Sequence, residues 1–326
     1  MDMISFGSVF LELVFGHLRE LPRPGEEVMT DEFAISCGGA VTSAAAAAAG
    51  GAQAGLATVL GDDLGSAVVT EHCANVGVDL SASARVSRPA AGITVVLNFD
   101  GDRSFVTHLP SATAGEQPEV DRWRQVLRTH RPAWCYLHAG RGVPAFLREA
   151  RQLGAKTVLD MSLGDERDAE TVIDCVGLAD IFVPNAEELL RLTGAATLGS
   201  ATSAAVSWGA QLVVKRGSAG ALLAGPDGSV TEIADGVRQV AVADLTGAGD
   251  SFAGAMIAAL LGGARLAQAV VAGNAAGSRA VGLLGAVGEV QVAGSGPGLP
   301  FQPVVLQEVV AALAGPRQPR QLAPER

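Results

Sequence analysis

The middle of the chain alternates between short apolar runs and segments with the spacing of helices. The apolar runs lie at residues 133–138, 156–161, 181–184 and 211–215, and helical segments separate them. This order is typical of parallel strands, because parallel neighbours need a long crossover connection. The sequence therefore predicts an α/β fold: a three-layer α/β/α sandwich with a mostly parallel central sheet.

Two extended segments, at about 11–36 and 92–109, lie outside this alternation. The second contains Asp100-Gly101 between β-rich runs, which is a hairpin signal. We expect both segments to form a small additional β-rich sheet. No linker divides residues 1–314, which are predicted to form a single domain. Residues 315–326 are rich in Pro, Arg and Gln, so a disordered tail is expected there.

The chain is acidic, with a formal net charge of −11 over 326 residues. Nucleic acids and anionic membranes present phosphates that bind Lys- and Arg-rich surfaces, so neither is expected as the main partner. A metal-bound nucleotide remains compatible, because backbone amides and Mg²⁺ supply positive charge locally. We therefore expect a small-molecule partner.

The four cysteines, at positions 37, 73, 135 and 175, are widely separated and show no C-x-x-C spacing. Reduced, structural thiols are the expectation. Two Ala- and Gly-rich stretches, 34–60 and 252–276, approach the length of a membrane span but are interrupted by polar residues. No signal-peptide pattern opens the chain, so the expected location is cytoplasmic.

A glycine-bearing turn at residues 244–250 runs into an apolar helical segment that begins at Ser251. A helix start leaves several backbone N–H groups unpaired, and Gly247 and Gly249 permit close approach of an anion to them. Asp250 adds a carboxylate beside this anion site. The combination indicates phosphoryl transfer, in which the turn amides stabilise the transferred group and Asp250 accepts a proton from an attacking hydroxyl. The alternative is a helix cap without chemistry.

The full string DLTGAGDSF, residues 244–252, resembles the second signature of the ribokinase-like (PfkB-type) carbohydrate kinases, D-T-x-G-A-G-D-x-F. The resemblance implies an ATP-dependent kinase that transfers the γ-phosphoryl group to a hydroxymethyl group of a sugar or related small molecule. Asp250 would be the general base, and the turn of Gly247, Ala248, Gly249 and Asp250 the anion hole. The resemblance also implies that the β-rich sheet is a lid over the substrate, and that two lids pair in a homodimer.

The resemblance places a sugar anchor in the N-terminal third. Gly38 and Gly39 match a Gly-Gly pair that lies against the sugar, and Ser43 stands where an Asn is common. Glu12 stands where the family often has an Asp that holds sugar hydroxyls, and its side chain is one methylene longer. These departures leave the acceptor open among ribose, fructose, a ketodeoxy sugar acid, a nucleoside and a sugar phosphate.

Asn185 and Glu188 are three residues apart at a predicted helix start. Such a pair lies within reach of one metal ion, or simply caps the helix. It also matches the family's N-x-x-E, which implies that Asn185 and Glu188 act on Mg²⁺ and phosphate through water.

The resemblance assigns further contacts to residues of the C-terminal half. The implied ATP contacts are Asn185, Ser218, Gly220, Thr246, Gly249 and Asn274. A monovalent cation such as K⁺ is implied at Asp244 and Thr246, although Asp244 alone could serve to shape the turn. Lys215 or Arg216 could offset phosphate charge, and Asp102 and Arg103 on the predicted hairpin could reach a substrate.

Three alternatives remain from the sequence. The first is a nucleoside kinase of the same fold, and the second is a sugar- or nucleotide-binding relative without catalysis. The third is an oxidoreductase on a Rossmann sheet, which is disfavoured because no G-x-G-x-x-G follows the first strand.

Overall fold

The computed structural model describes residues 1–99, 102–110, 117–162 and 168–290. The strands are β1 Met3–Phe6, β2 Val9–Leu18, β3 Phe33–Gly39, β4 Ala54–Ala57, β5 Val59–Leu60, β6 Ala84–Arg85, β7 Gly92–Phe99, β8 Asp102–His108, β9 Trp134–His138, β10 Lys156–Asp160, β11 Ile181–Phe182, β12 Gln211–Lys215, β13 Ala221–Ala224 and β14 Val230–Ile233. The helices are α1 Ala40–Ala49, α2 Leu64–Val76, α3 Gln117–His130, α4 Val143–Gln152, α5 Ala169–Val176, α6 Ala186–Thr193, α7 Leu198–Val206, α8 Ala248–Leu261 and α9 Leu266–Ala280. The expected turn at Asp100-Gly101, the domain end at residue 314 and the tail at 315–326 lie outside the described residues.

The central sheet has eight strands in the order β14-β13-β12-β11-β10-β9-β1-β4. Neighbouring strands from β12 to β4 pair in parallel, whereas β13 and β14 are antiparallel. The parallel strands read as apolar runs because both of their faces are covered, and in β10 all but the first residue is buried.

Helices cover the two faces of this sheet in separate layers. Ile4, Leu137 and Leu159 point into one core, together with apolar residues of α3 to α7. Their strand neighbours Met3 and Tyr136 point into the other core, together with residues of α1, α8 and α9. This alternation along each strand gives three layers, so the predicted α/β/α sandwich is confirmed.

Small residues allow α1 and α8 to pack closely. A Cβ added at Gly254 in α8 would lie 2.2 Å from the backbone oxygen of Ser43 in α1. The close packing of these helices fixes the direction of α8, whose first turn carries Asp250.

A second sheet has the order β3-β2-β7-β8, in which β2 and β7 are parallel and the other pairs antiparallel. Its inner face carries Glu12 and Thr94 toward the cleft described below. Its outer face exposes apolar side chains, among them Phe33, Ile93 and Val106. This sheet is built from the segments that the sequence indicates as β-rich.

The four cysteines are free and buried. In the portion of the chain that the structure describes, no helix has both the length and the apolar character needed to cross a membrane.

Candidate active site

Polar side chains from several strands meet at one edge of the central sheet. Tyr136 and His138 lie on β9, Asp160 ends β10, and Lys215 ends β12. The carboxyl ends of parallel strands share one edge, and ligands of open α/β sheets bind there. A cleft between this edge and the second sheet is lined by all four of these residues and by the 245–250 turn.

The turn before α8 presents backbone N–H groups to this cleft. Gly247 is the N-cap, with a φ of 73°, and a Cβ there would lie 2.7 Å from Ala286. The first hydrogen bond of α8 runs from Ser251 N–H to the Gly247 oxygen, at 2.9 Å. The N–H groups of Ala248, Gly249 and Asp250 come before it, so they have no partner within the helix and form an anion site.

Asp250 lines the cleft in the first turn of α8. The hydroxyl of Tyr136 donates a hydrogen bond to Asp250 Oδ1 at 2.8 Å, and His138 Nε2 lies 3.5 Å from the same oxygen. His138 Nε2 is also 3.2 Å from the Tyr136 oxygen, and its Nδ1 is 3.1 Å from Ser162 Oγ. Two side chains of β9 therefore orient the carboxylate.

Lys215 lies beneath the glycine turn, paired with Asp160. Its ammonium group donates to Asp160 Oδ2 at 2.6 Å, and both side chains are largely buried. A Cβ at Gly249 would lie 3.0 Å from Lys215 Nζ, so the cation sits directly beside the anion site. A buried ammonium group at this distance favours a bound phosphate.

The charged groups in this cluster change one another's pKa values. Burial alone would raise the pKa of Asp250, but the contacts with His138 and Tyr136 and the charge of Lys215 bring it below its usual value. Burial lowers the pKa of His138, yet its hydrogen bond to Asp250 and the charges of Asp160 and Asp250 raise it to about 9. At neutral pH the pair is therefore an imidazolium beside a carboxylate.

Asn185 and Glu188 form a reciprocal capping box at the start of α6. Asn185 Oδ1 accepts from the Glu188 N–H at 2.8 Å, and Glu188 Oε2 accepts from the Asn185 N–H at 2.7 Å. Both residues line the cleft. Burial raises the pKa of Glu188, and the Asp160 charge acts in the same direction. A divalent cation nearby would favour the ionised form of this carboxyl group, which fits the acidic ligands that Mg²⁺ prefers.

Asp244 is buried behind the turn rather than in the cleft. Its Oδ1 accepts from the N–H and the hydroxyl of Thr246, and its Oδ2 accepts from the Gly285 N–H at 3.0 Å. These bonds hold the 244–246 segment in place. A monovalent cation at Asp244 and Thr246 stays a prediction.

The predicted sugar anchor is only partly brought together. Glu12 and Gly39 line the cleft, whereas Gly38 is buried and Ser43 is fully buried, with its hydroxyl 2.8 Å from Ser5 Oγ. Ser43 lies one helical turn after the N-cap Gly39, on the face of α1 that packs against the protein interior.

Glu12 lies flat over Gly38, where a Cβ would clash with its carboxyl group. Glu12 Oε2 accepts a hydrogen bond from the Ala286 N–H at 3.0 Å, which ties the second sheet to the loop after α9. Burial raises the pKa of Glu12 to about 7. The hydrogen bond from Ala286 lowers this pKa, and the charges of Asp244 and Asp250 raise it by smaller amounts.

The remaining candidates lie at the rim of the cleft. Ser218 and Gly220 line it in the turn after β12, and Asn274 lines it from α9. The Asn274 side chain donates to the backbone oxygens of Ile233 and Asp235, at 3.0 and 2.9 Å. Arg103 also lines the cleft and stacks over the Phe105 ring, whereas Asp102 accepts a hydrogen bond from the Arg103 N–H.

The sequence reasoning missed Tyr136, His138 and Asp160. A signal was present, because each is a polar residue in the last three positions of a predicted buried strand, at the edge where ligands bind. The sequence does not indicate that Tyr136 and Asp250, which are 114 positions apart, share a hydrogen bond.

Known proteins with similar sequences include sugar and nucleoside kinases. Aminoimidazole riboside kinase of Salmonella typhimurium is 27% identical over 260 residues, which cover 73% of this chain and 79% of that protein. The 2-dehydro-3-deoxygluconokinase of Bacillus subtilis is 35% identical over 131 residues, which cover 40% of this chain and 37% of that protein.

A similar solved structure is ribokinase of Arabidopsis thaliana complexed with ribose and ATP. Its TM-score is 0.69 at 23% identity, with 88% of this chain and 94% of that chain covered, so the two share a fold. The model of the pfkB family carbohydrate kinases matches residues 3–291, nearly the whole described part of the chain. The chain therefore belongs to the pfkB family of carbohydrate kinases, as the turn at 244–252 indicates.

Proposed function

We propose that this chain transfers the γ-phosphoryl group of ATP to a hydroxymethyl group of a sugar or a nucleoside. The observation that carries the proposal is the placement of Asp250 in the first turn of α8, where three N–H groups have no partner within the helix and Lys215 lies beside them. A carboxylate at an anion site serves proton transfer, and the surrounding donors serve the phosphoryl group.

The chemical step balances on these groups. The acceptor oxygen forms a bond to the γ-phosphorus, the bond from that phosphorus to the β-bridging oxygen breaks, and ADP leaves. Asp250 takes the proton of the acceptor hydroxyl, and the amides of Ala248 and Gly249 stabilise charge on the transferred group. Lys215, held by Asp160, offsets negative charge on the same side.

Asn185 and Glu188 would hold Mg²⁺ through water, because their oxygens lie at the cleft wall near the Lys215 end of the site. The ion would neutralise phosphate charge when bound. We assign Ser218, Gly220 and Asn274 to the nucleotide, and Glu12 and Gly39 to the acceptor side of the cleft, because all five line it.

We also propose a homodimer formed by the second sheet. Its outer face carries Phe33, Ile93 and Val106, whose exposed fractions are 46%, 42% and 66%. An apolar sheet face of this kind favours burial against a second copy. Val106→Asp is expected to shift the chain toward monomer in analytical ultracentrifugation. A dimer that survives this change at all protein concentrations would contradict the proposal.

The kinase proposal is tested by ATP turnover across a panel of sugars, sugar acids and nucleosides. Native protein is expected to phosphorylate at least one member, and Asp250→Asn is expected to lose most of that activity. Asp174→Asn, a matched change at an exposed position of α5, is the control. Saturable ligand binding without transfer would instead indicate a non-catalytic relative.

A further inference from the structure

The two oxygens of the Asp250 carboxylate lie in different surroundings. Oδ1 receives the Tyr136 hydroxyl at 2.8 Å and faces His138 Nε2 at 3.5 Å. No hydrogen bond to Oδ2 is found among the residues that the structure describes. The carboxylate is therefore held at one oxygen and open at the other.

The Tyr136 side chain is itself fixed from several directions. Its ring is 1% exposed and packs in the core between the sheet and α8. Its hydroxyl lies 3.1 Å from Asp160 Oδ2 and 3.2 Å from His138 Nε2. The phenol has one proton and two carboxylate oxygens within reach, and the shorter distance, 2.8 Å against 3.1 Å, favours donation to Asp250 Oδ1.

Asp160 is itself held in place by two hydrogen bonds. Lys215 donates to its Oδ2 at 2.6 Å, and the Met161 N–H donates to its Oδ1 at 2.9 Å. One chain of contacts thus runs from the cation beside the anion site, through Asp160 and Tyr136, to the proposed base.

We propose that Tyr136 is a positioning residue for Asp250. Its hydroxyl holds Oδ1, so that Oδ2 faces the acceptor hydroxyl, and the packing of the buried ring holds the phenol in place. This inference rests on the proposed kinase function. It explains why the Asp250 carboxylate is held in one orientation with its Oδ2 free.

A second consequence concerns the proton affinity of Asp250. Tyr136 and His138 donate to the carboxylate and stabilise its charged form, so loss of the phenol hydroxyl raises the pKa of Asp250. Other charged groups around the site also affect the pKa of Asp250. The charges at the site are those of His138 on β9, Asp160 on β10, Glu188 on α6, Lys215 on β12 and Glu12 on β2.

The test is Tyr136→Phe, which removes one oxygen and keeps the ring. A hydrogen bond to a charged group is worth about a tenfold change in rate or more. We expect kcat to fall at least about tenfold, with the KM for ATP nearly unchanged. We also expect the acidic limb of the pH profile of kcat/KM to move toward neutral pH. His138→Gln keeps a donor but removes the positive charge, so it is expected to move the acidic limb in the same direction.

His130→Gln is the matched control, because His130 ends α3 at the opposite edge of the sheet. A purely structural role for Tyr136 predicts a lower melting temperature with an unchanged acidic limb, and that result would overturn the inference. An unchanged kcat in a folded Tyr136→Phe variant would also overturn it.

A readout without turnover separates this inference from the kinase function itself. The ¹³C carboxyl signal of Asp250, assigned by its loss in Asp250→Asn, can be titrated in the free protein. Tyr136→Phe is expected to raise its midpoint even if no panel compound is phosphorylated, in which case only the proposed function fails. An unmoved midpoint contradicts the inference whatever the activity.

Discussion

The buried carboxyl group of Glu12 makes the stability of the folded protein depend on pH. Glu12 is 5% exposed, and its one described hydrogen bond comes from the Ala286 N–H. Glu12→Gln keeps the size of the side chain and an oxygen that can accept this bond, and removes only the ability to ionise. The change therefore isolates the free energy of burying a charge.

The magnitude follows from the pKa of this carboxyl group. Burial raises it from 4.5 to about 7, and one pH unit corresponds to about 1.4 kcal/mol, so the folded state prefers the neutral form by about 3.5 kcal/mol. Because the folded-state pKa is the higher one, this contribution is fully present below pH 4.5 and is lost as the pH rises to about 7. Glu12→Gln lacks this dependence.

Urea denaturation of both proteins from pH 5 to pH 8 measures the effect. The stability of the native protein relative to Glu12→Gln is expected to fall by about 2.5 kcal/mol across this range and to level off above pH 7. Glu27→Gln, at an exposed position, should show no such trend. A difference between native protein and Glu12→Gln that is constant with pH would refute the reasoning.

Two further predictions concern single buried groups. Burial and the charges of Asp160 and Asp250 raise the pKa of Tyr136 well above 10, so the tyrosinate absorbance of this single-tyrosine chain should stay absent as the pH passes 10 and appear only on unfolding; a normal titration would contradict the buried network. Gly254→Ala should destabilise the protein by about 1–3 kcal/mol in urea denaturation, because the added Cβ meets the Ser43 backbone. Gly199→Ala in α7, where a Cβ meets nothing within 4 Å, is its control and should be neutral or stabilising.

The fold was predictable from the sequence because its signals are local. The apolar runs of β9, β10 and β12 and the helices between them specify parallel crossover units without knowledge of the partners. The turn at 244–250 is equally local, since the glycines and Asp250 act within one stretch. These features needed no information from distant parts of the chain.

The environment of the base could not be predicted in the same way. Tyr136, Asp160 and Lys215 lie on three different strands, and only the strand order places β9, β10 and β12 close enough for their ends to converge. Ser43 shows the converse case. Its residue type fits a sugar contact, but its position on α1 turns the hydroxyl toward Ser5. The direction of a side chain is set by packing, which a short motif does not encode.

We propose Asp250 as the base of a phosphoryl transfer at the α8 turn. The most direct measurement is single-turnover transfer from γ-labelled ATP to the best acceptor of the panel, with native protein and Asp250→Asn compared at equal nucleotide occupancy. A positioned general base contributes about 10² to 10⁴ in rate, so we predict a loss of this size with ATP binding retained. Transfer by Asp250→Asn at a rate close to that of the native protein would contradict the assignment.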